Sequence, residues 1–298
     1  MAAQGQEPDD VEITLLAVLI AGAGIFGITL VLLPLKWSVL LVAGLVAFLL
    51  YRHHIVKLHS PSAQSFPLSS TPRPTSSTSP RNALPSTTSL PAAYTTYILG
   101  SGGHTTELLE TIRRSWQPAS NTHRRYIISV NDTSSLTRAA QLETSFAKAC
   151  RQLGDERLWG TTDVVLIPRA RKVHQSFWTA PWSCLRAAIA AIRAVVVPPK
   201  ARWGQAGFRW AHVLVTNGPA NGFIVGAVVH GLKLLGIVPL DRARVVYIES
   251  WARSRTLSLT GRLFNLTGFA DVFIVQHREL EGRVKGAVYL EGLVGKEI

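Results

Sequence analysis

The sequence predicts an α/β fold in which helices cover both faces of a parallel sheet, joined to an N-terminal transmembrane helix. Two observations lead to this prediction. From residue 94 to residue 298, short apolar or β-branched runs alternate with longer helical patterns, which is typical of a parallel sheet that is buried on both faces. Residues 13–35 form a stretch of 23 residues without a single charge.

Residues 1–12 form an N-terminal tail with four acidic residues and no Lys or Arg. The uncharged stretch 13–35 follows this tail, and at about 1.5 Å per residue it would cross a hydrocarbon core of roughly 30 Å. We expect a transmembrane anchor here rather than a cleaved signal peptide, because a signal peptide begins with a basic region.

Residues 36–58 form a membrane-proximal segment that is first apolar and then basic. Its apolar run, 37–51, has 15 residues, fewer than the approximately 20 that cross a bilayer. We expect this run to lie at the interface or to continue the first helix, so that the chain crosses once, and a two-helix hairpin is the alternative. The residues Arg52, Lys57, Arg73 and Arg81 contrast with the acidic tail and predict that the remainder of the chain is cytosolic.

Residues 59–93 are predicted to be a disordered tether. Between residues 60 and 91, 22 of 32 positions are Ser, Thr or Pro, a composition that cannot form a packed core. A lumenal, O-glycosylated stalk is the alternative. The charge distribution argues against it, because it predicts a cytosolic location for this segment.

Residues 94–298 suit one Rossmann-like domain and are too few for two. The strand candidates share an apolar, β-branched composition and are Tyr94–Leu99, Arg125–Val130, Val164–Pro168, His212–Thr216, Arg244–Glu249 and Asp271–Val275. Helical patterns lie between them and include Ser134–Gln152, Pro181–Val196, Asn221–Leu235 and Thr256–Leu266.

The most distinctive segment is a glycine-rich turn, residues 100–105, between the first strand and a helical pattern. Gly100, Gly102 and Gly103 permit a tight turn and a close approach of the backbone to a ligand, while unpaired N–H groups at the helix start favour an anion. Thr105 occupies the last glycine position of the dinucleotide fingerprint, so the match to that fingerprint is incomplete. The pattern predicts a phosphate-binding loop in which His104 donates to a phosphate or acts as a base.

Three further strand ends carry unusual residues. They are Pro168 to Arg171, Asn217 to Pro219, and Glu249 with Ser250. Because ligands of an open parallel sheet bind at the carboxyl ends of the strands, we expect these segments to form one rim with the glycine turn.

The charge of the domain predicts an anionic ligand or surface, since residues 94–298 hold 26 Lys and Arg against 14 Asp and Glu. Interleaved Trp residues and the hydrophobic anchor favour a membrane surface over nucleic acid, so no nucleic-acid partner is expected. Cys150 and Cys184 lack metal-ligand spacing, and we expect no metal site and no disulfide.

Six short motifs follow one another along the domain. They are G-S-G-G-H-T at 100–105, P-R-x-R-x-x-x-Q-S at 168–176, N-G-P at 217–219, Y-I-E-S at 247–250, R-x-x-T-L-S-L-T-G at 253–261 and A-D-x-F-x-V-Q at 270–276. With them the chain resembles the membrane-anchoring subunit of the two-chain UDP-N-acetylglucosamine transferase of the dolichol-linked oligosaccharide pathway, the route to asparagine-linked glycosylation. It departs from that family at Ala220, where Gly is common, and at His277 and Arg278.

The resemblance implies the N-terminal, acceptor-side half of a split GT-B glycosyltransferase on the cytosolic face of the endoplasmic reticulum membrane. This half would bind GlcNAc-diphosphate-dolichol and recruit a soluble catalytic subunit for the addition of the second GlcNAc. The donor, UDP-GlcNAc, is expected mainly on that partner, and no cofactor is expected on this chain. The size of the domain agrees, because one Rossmann-like domain cannot form an interdomain cleft by itself.

Within this family framework, His104 and Glu249 are the candidate catalytic bases. The candidate ligands of the acceptor diphosphate are Gly100, Ser101, Gly102, Gly103, His104, Thr105, Asn217, Gly218, Arg169 and Arg253.

Two alternative functions belong to other classes. A membrane-tethered, nucleotide-dependent oxidoreductase is suggested by Asp132, which follows the second strand where an acid would bind a ribose. However, no Tyr of the domain is followed four residues later by Lys, so the pair typical of short-chain reductases is absent. A pure recruitment scaffold is the other alternative, and it would bind no lipid diphosphate.

Overall fold

The computed structural model describes residues 10–60, 93–171, 175, 178–199, 209–218, 220–284 and 286–290. The described chain begins with two helices, α1 (Asp10–Leu32) and α2 (Leu35–Leu58). Leu33 and Pro34 separate them, because proline lacks the N–H that a continuing helix would use. The anchor predicted at 13–35 therefore covers most of α1 and reaches the first residue of α2. The predicted tether lies almost entirely outside the described residues.

The second helix is longer than its apolar run suggests. The helix does not stop at Tyr51 but continues through the basic residues to Leu58, so that it has 24 residues. Among the described residues, α2 is the helix that is long and apolar enough to cross a membrane, with a mean hydropathy of 1.9. The apolar run 37–51, which we expected to be too short to cross, is part of this longer helix, because the helix continues past the first charge.

The domain is built on seven parallel strands in the order β3-β2-β1-β4-β5-β6-β7. The strands are β1 (Ala93–Ile98), β2 (Thr122–Ser129), β3 (Thr161–Ile167), β4 (Val213–Thr216), β5 (Arg244–Ile248), β6 (Val272–Val275) and β7 (Val288–Tyr289). The six predicted strands are all present with small shifts at their ends, and β7 was not predicted. The α/β fold class is confirmed.

Helices cover both faces of the sheet. They are α3 (Gly103–Ser115), α4 (Thr133–Gln152), α5 (Ala180–Val196), α6 (Asn221–Leu234), α7 (Leu259–Thr267) and the short α8 (Arg278–Glu281). Helices α3 and α4 pack in one hydrophobic cluster, while α5, α6 and α7 pack in the other. The two clusters occupy opposite faces, since neighbouring strand residues such as Ile127 and Ile128 belong to different clusters.

The strand β2 starts three residues earlier than predicted and includes Arg124, which is buried and paired like its neighbour Arg125. Arg124 makes a bidentate contact with Glu143 of α4, at 2.8 and 2.7 Å. Arg125 donates to Asp163 of β3 at 2.7 Å and to the carbonyl of Val197, just after α5, at 2.7 Å. A buried charge is tolerated when it is paired in this way, so these residues can belong to a central strand.

The strand order places a topological switch point between β1 and β4. The chain proceeds outward from β1 to β2 and β3 on one side, then returns to β4 and proceeds outward on the other side. In open parallel sheets the connections that leave the two strands at such a point diverge, and the crevice between them is where ligands bind. The glycine turn after β1 and the residues after β4 therefore flank the expected ligand crevice.

Candidate functional site

The glycine turn forms an open loop at the start of α3. Gly102 adopts φ 62° and ψ −125°, and α3 begins at the next residue, with no side chain capping its first N–H groups. Apart from their own chain neighbours and the backbone of α3, no atom of the described residues lies within 4 Å of where a Cβ would stand on Gly102 or Gly103. Uncapped amides, a helix dipole and free space in front of them are the properties of a phosphate site.

Thr105 holds the glycine turn from behind, which explains why a hydroxyl replaces the third glycine of the dinucleotide pattern. Its Oγ1 donates to the carbonyl of Gly100 at 2.8 Å and lies 2.8 Å from the Ser135 hydroxyl on α4. The Ser135 hydroxyl in turn lies 3.3 Å from the same Gly100 carbonyl. Thr105 is completely buried, so its hydroxyl fixes the turn from inside the domain.

The loop after β4 closes the other side of the crevice. A Cβ on Gly218 would stand 2.9 Å from the Gly100 Cα, so only glycine allows the two loops to touch. Asn217 Nδ2 donates to the His104 carbonyl at 2.8 Å. These contacts bring the two predicted segments together, as expected for the switch point.

Glu107 connects three strand ends and was missed by the sequence analysis. Its Oε2 accepts from Asn217 Nδ2 at 3.2 Å, and its Oε1 accepts from the Ser250 hydroxyl at 3.0 Å. One carboxylate on α3 thus links the residues that follow β4 and β5. The sequence signal was its place near the start of the helix after the glycine loop, but its partners lie 110 and 143 residues away.

Glu249, the second candidate base, lies at the exit of β5. Its side chain is completely buried, and its carboxylate accepts from the Ser250 amide at 3.1 Å, the Ser258 amide at 3.3 Å and the Tyr247 hydroxyl at 3.4 Å. Burial raises the pKa of this carboxyl, and the hydrogen bonds oppose that effect. A Cβ on Gly261 would collide with Glu249 Oε2. This geometry favours a positioning role for Glu249 at the exit of β5.

The two predicted arginines lie on opposite sides of the crevice. Arg169 follows β3, and its guanidinium, 37 % exposed, lies 3.7 Å from the Asp132 carboxylate. Asp132 also caps α4 by accepting from the Ser135 amide at 3.1 Å. Arg253 lies in the exposed loop after β5. Both arginines keep surface that a ligand or a partner could reach.

His104 is half-buried on the first turn of α3. Its Nδ1 is buried and has no hydrogen-bond partner within the described part of the chain. The side chain of Asn217 shows a similar feature, because its Oδ1 is buried without a partner among the described residues. Buried polar atoms normally have a partner, so these two atoms mark the crevice as a place where polar groups of a ligand or water complete the structure.

Fold and crevice together define a single Rossmann-like domain with a glycine-rich turn at its switch point, in a chain that also has a helix of membrane-spanning length. A family model described as "Oligosaccharide biosynthesis protein Alg14 like" matches residues 95–294. The chain belongs to this family.

Curated relatives carry the same family name. The chain is 30% identical over 207 residues to "UDP-N-acetylglucosamine transferase subunit alg14" of Aspergillus fumigatus, covering 57% of this chain and 90% of the relative. It is 28% identical over 211 residues to the Schizosaccharomyces pombe protein of that name, covering 70% and 88%. The Mus musculus subunit ALG14 is 30% identical over 201 residues, covering 66% and 81%. No solved structure matches the chain.

Proposed function

We propose that this chain is the membrane-anchoring, acceptor-binding subunit of a UDP-GlcNAc transferase that adds the second GlcNAc to GlcNAc-diphosphate-dolichol. The relatives are named as subunits of a UDP-N-acetylglucosamine transferase, and α2 offers a helix of membrane-spanning length. The domain would lie on the cytosolic face of the endoplasmic reticulum membrane, since basic residues follow α2 while acidic residues precede the apolar region.

The observation that carries this proposal is the open loop at the start of α3. Its first amides have no side-chain cap, the Cβ positions of Gly102 and Gly103 are open, and the loop lies at the switch point, where the loop after β4 meets the glycine turn. A diphosphate is the ligand chemistry that fits, because backbone N–H groups and a helix dipole favour a compact anion without requiring a particular side chain. Gly100, Ser101, Gly102 and Gly103 would supply the backbone contacts, and Asn217 would hold the loop in place.

A soluble partner chain would complete the active site. The described residues form one sheet with one crevice, whereas transfer between two substrates in a GT-B arrangement uses a cleft between two such domains. The donor would therefore bind mainly on the partner, and we assign no cofactor to this chain. The crevice rim, including the exposed loop that carries Arg253, is the surface that such a partner would cover.

The chemistry would be a direct displacement at the anomeric carbon. The acceptor hydroxyl loses its proton to a base as its oxygen bonds to that carbon, and UDP departs with the electron pair of the broken bond. His104 is the better-placed candidate base on this chain, because it borders the crevice while Glu249 is buried. Positive charge from Arg169 and Arg253 would stabilise the phosphates.

A nucleotide-dependent oxidoreductase finds no support at this site. Asp132, on which that alternative depends, caps α4 and faces Arg169. Asp132 Oδ1 is therefore used as a helix cap, while Oδ2 lies 3.7 Å from Arg169 and has no hydrogen-bond partner among the described residues. The membership in the Alg14 family also argues for the transferase.

Reconstitution tests the proposal. The purified chain should transfer no GlcNAc alone, and transfer from UDP-GlcNAc to the lipid acceptor should appear when a soluble donor-binding subunit is added. Robust transfer by the single chain would contradict the placement of the donor site on a partner.

A second experiment tests the orientation in the membrane. A protease-sensitive tag near Ser76 should be digested in intact microsomes, and the sequon at Asn131 should stay unglycosylated. Protection of the tag would reverse the orientation.

A further inference from the structure

The end of α2 packs against the domain, although more than 30 residues separate it from β1 along the chain. Arg52 donates from Nε to the Leu234 carbonyl and from Nη2 to the Lys233 carbonyl, both at 2.9 Å. Leu234 is the last residue of α6, so the guanidinium binds the carbonyl end of that helix. A cation at this end is favourable because the helix dipole places partial negative charge there.

A second helix end is bound in the same way. Lys57 Nζ donates to the carbonyl of Gly268, the residue that terminates α7, at 3.0 Å. Between the two cations, Val56 is 5 % exposed. The Ser60 hydroxyl then donates to Asp271, immediately before β6. Two charged contacts, one buried apolar side chain and one hydroxyl thus form a continuous strip along the end of α2.

The same strip covers buried polar groups of the domain. His53 Nδ1 lies 2.9 Å from His230 Nε2 on α6. Lys233, 3 % exposed, lies 3.4 Å from the Asp271 carboxylate, which also accepts from the Val245 amide. The end of α2 is therefore part of the closed surface of the domain and not a neighbour that touches it loosely.

The ends of the segment 61–92 are held close together. Ser60 is bound at the amino end of β6 and Ala93 begins β1. Three strand spacings separate β1 from β6, which is about 14 Å. The 32 residues between them could extend to roughly 100 Å. The segment is thus much longer than the gap that it bridges, so it does not set the distance between helix and domain.

We propose that the carbonyl ends of α6 and α7 form a docking surface for α2, and that this docking, not the covalent segment 61–92, fixes the domain to its membrane helix. The proposal rests on the proposed function only in taking α2 as the membrane helix. The docking surface lies at the amino ends of the strands, whereas the crevice lies at their carboxyl ends. Docking therefore leaves the crevice rim open to a partner.

Cleavage of the connecting segment tests the docking directly. A site for a sequence-specific protease is inserted after Ser76 in the full chain, membranes are prepared, and the cleaved sample is washed at high salt and sedimented. Most of the cleaved domain should remain with the membranes. Release of the domain from the unmutated helix would overturn the proposal.

Paired variants of α2 separate docking from other membrane contacts. Arg52→Gln with Lys57→Gln should release the cleaved domain, whereas Lys36→Gln with His54→Gln, changes on the same helix away from the contacts, should retain it. Retention of the domain by both pairs would show that lipid or another protein holds it, and the proposal would be wrong. Deletion of residues 66–85 should leave transferase activity unchanged, because the remaining 12 residues still reach about 40 Å.

The assignment of α2 as the membrane helix can be tested separately from its docking to the domain. If the uncleaved chain does not sediment with membranes, the fault lies with α2 as a membrane helix. Docking is then measured by size-exclusion chromatography of the cleaved chain in detergent. Co-elution of the two fragments supports docking, and their separation refutes it.

Discussion

Gly102→Val should destabilise the domain, whereas Gly103→Val should weaken acceptor binding and leave the stability nearly unchanged. Gly103 begins the helix with free space in front of it, while Gly102 adopts φ 62° and ψ −125°. That conformation mirrors the ordinary extended region and is accessible at low cost only to glycine. Gly103→Val therefore tests the ligand site, and Gly102→Val tests the turn.

The magnitudes follow from the backbone and from the lost contacts. A branched side chain at Gly102 costs about 1–3 kcal/mol of folding free energy, which lowers the Tm of a domain of this size by roughly 2–12 °C. Gly103→Val should change stability by less than about 0.5 kcal/mol, because valine and glycine have similar helix propensities. Blocking two amide contacts to a charged phosphate removes about 3 kcal/mol or more, a loss of at least roughly 100-fold in kcat/KM for the lipid acceptor.

The assay is transfer by the reconstituted pair at varied lipid acceptor, with Tm measured in the same detergent. Gly282→Val serves as a control, since this glycine also has free space and a negative φ but lies away from the crevice. If Gly103→Val keeps the normal Tm and also the normal KM and turnover, the diphosphate does not bind at the start of α3. The loop would then be a structural turn.

Three further predictions address other parts of the structure. Glu107→Gln should weaken the contacts that hold the crevice together by about 1–2 kcal/mol, which should appear as a roughly 10-fold drop in kcat/KM. Glu110→Gln, on the same helix but outside these contacts, should leave transfer unchanged. Ala220→Gly should raise the Tm, because Ala220 has a strained φ of 45°. Relief of this strain, about 1–2 kcal/mol, exceeds the cost of the conformational entropy that glycine adds to the unfolded chain. An unchanged or lower Tm would refute this prediction. Burial, followed by the charge of His53, lowers the pKa of His230 to about 4. Neutral His230 therefore contributes on the order of 1–3 kcal/mol to folding stability above about pH 6.5, and this contribution is lost as the pH falls toward 4. Unfolding midpoints between pH 7.5 and 4.5 should fall less steeply for His230→Gln, and equal slopes would contradict the assignment.

The strands were predictable because local composition determines them. Buried parallel strands need apolar, β-branched residues along their length, and β1, β4, β5 and β6 have such runs. The start of β2 before Arg125 was not predictable, since Arg124 becomes a buried strand residue through Glu143, which lies 19 residues further along the chain. Charge pairs at that separation leave no local pattern.

The end of α2 illustrates the same limit at a helix. Arg52 and Lys57 were interpreted as the basic flank of a membrane segment, which is consistent with their positions in the sequence. In the structure they continue the helix and bind the carbonyl ends of α6 and α7. A basic residue after an apolar run can therefore serve two purposes, and only the tertiary contacts distinguish a topological signal from a helix cap.

The crevice was predicted in its parts but not in its connections. The glycine turn and Asn217 could be located from sequence because strand ends, turns and helix starts have local signatures. The order of the strands has no such signature, and it is this order that places the residues after β4 beside the turn after β1. Glu107 depends on that order entirely, because it links Asn217 and Ser250 from a helix that precedes both. The Glu107 carboxylate links the residues after β4 and β5 to α3, the helix that would bind the phosphates. A shift of any of these three elements should therefore be transmitted to the other two. Glu107 is thus the residue at which a partner that contacts the exposed loop after β5 could influence the anion-binding loop.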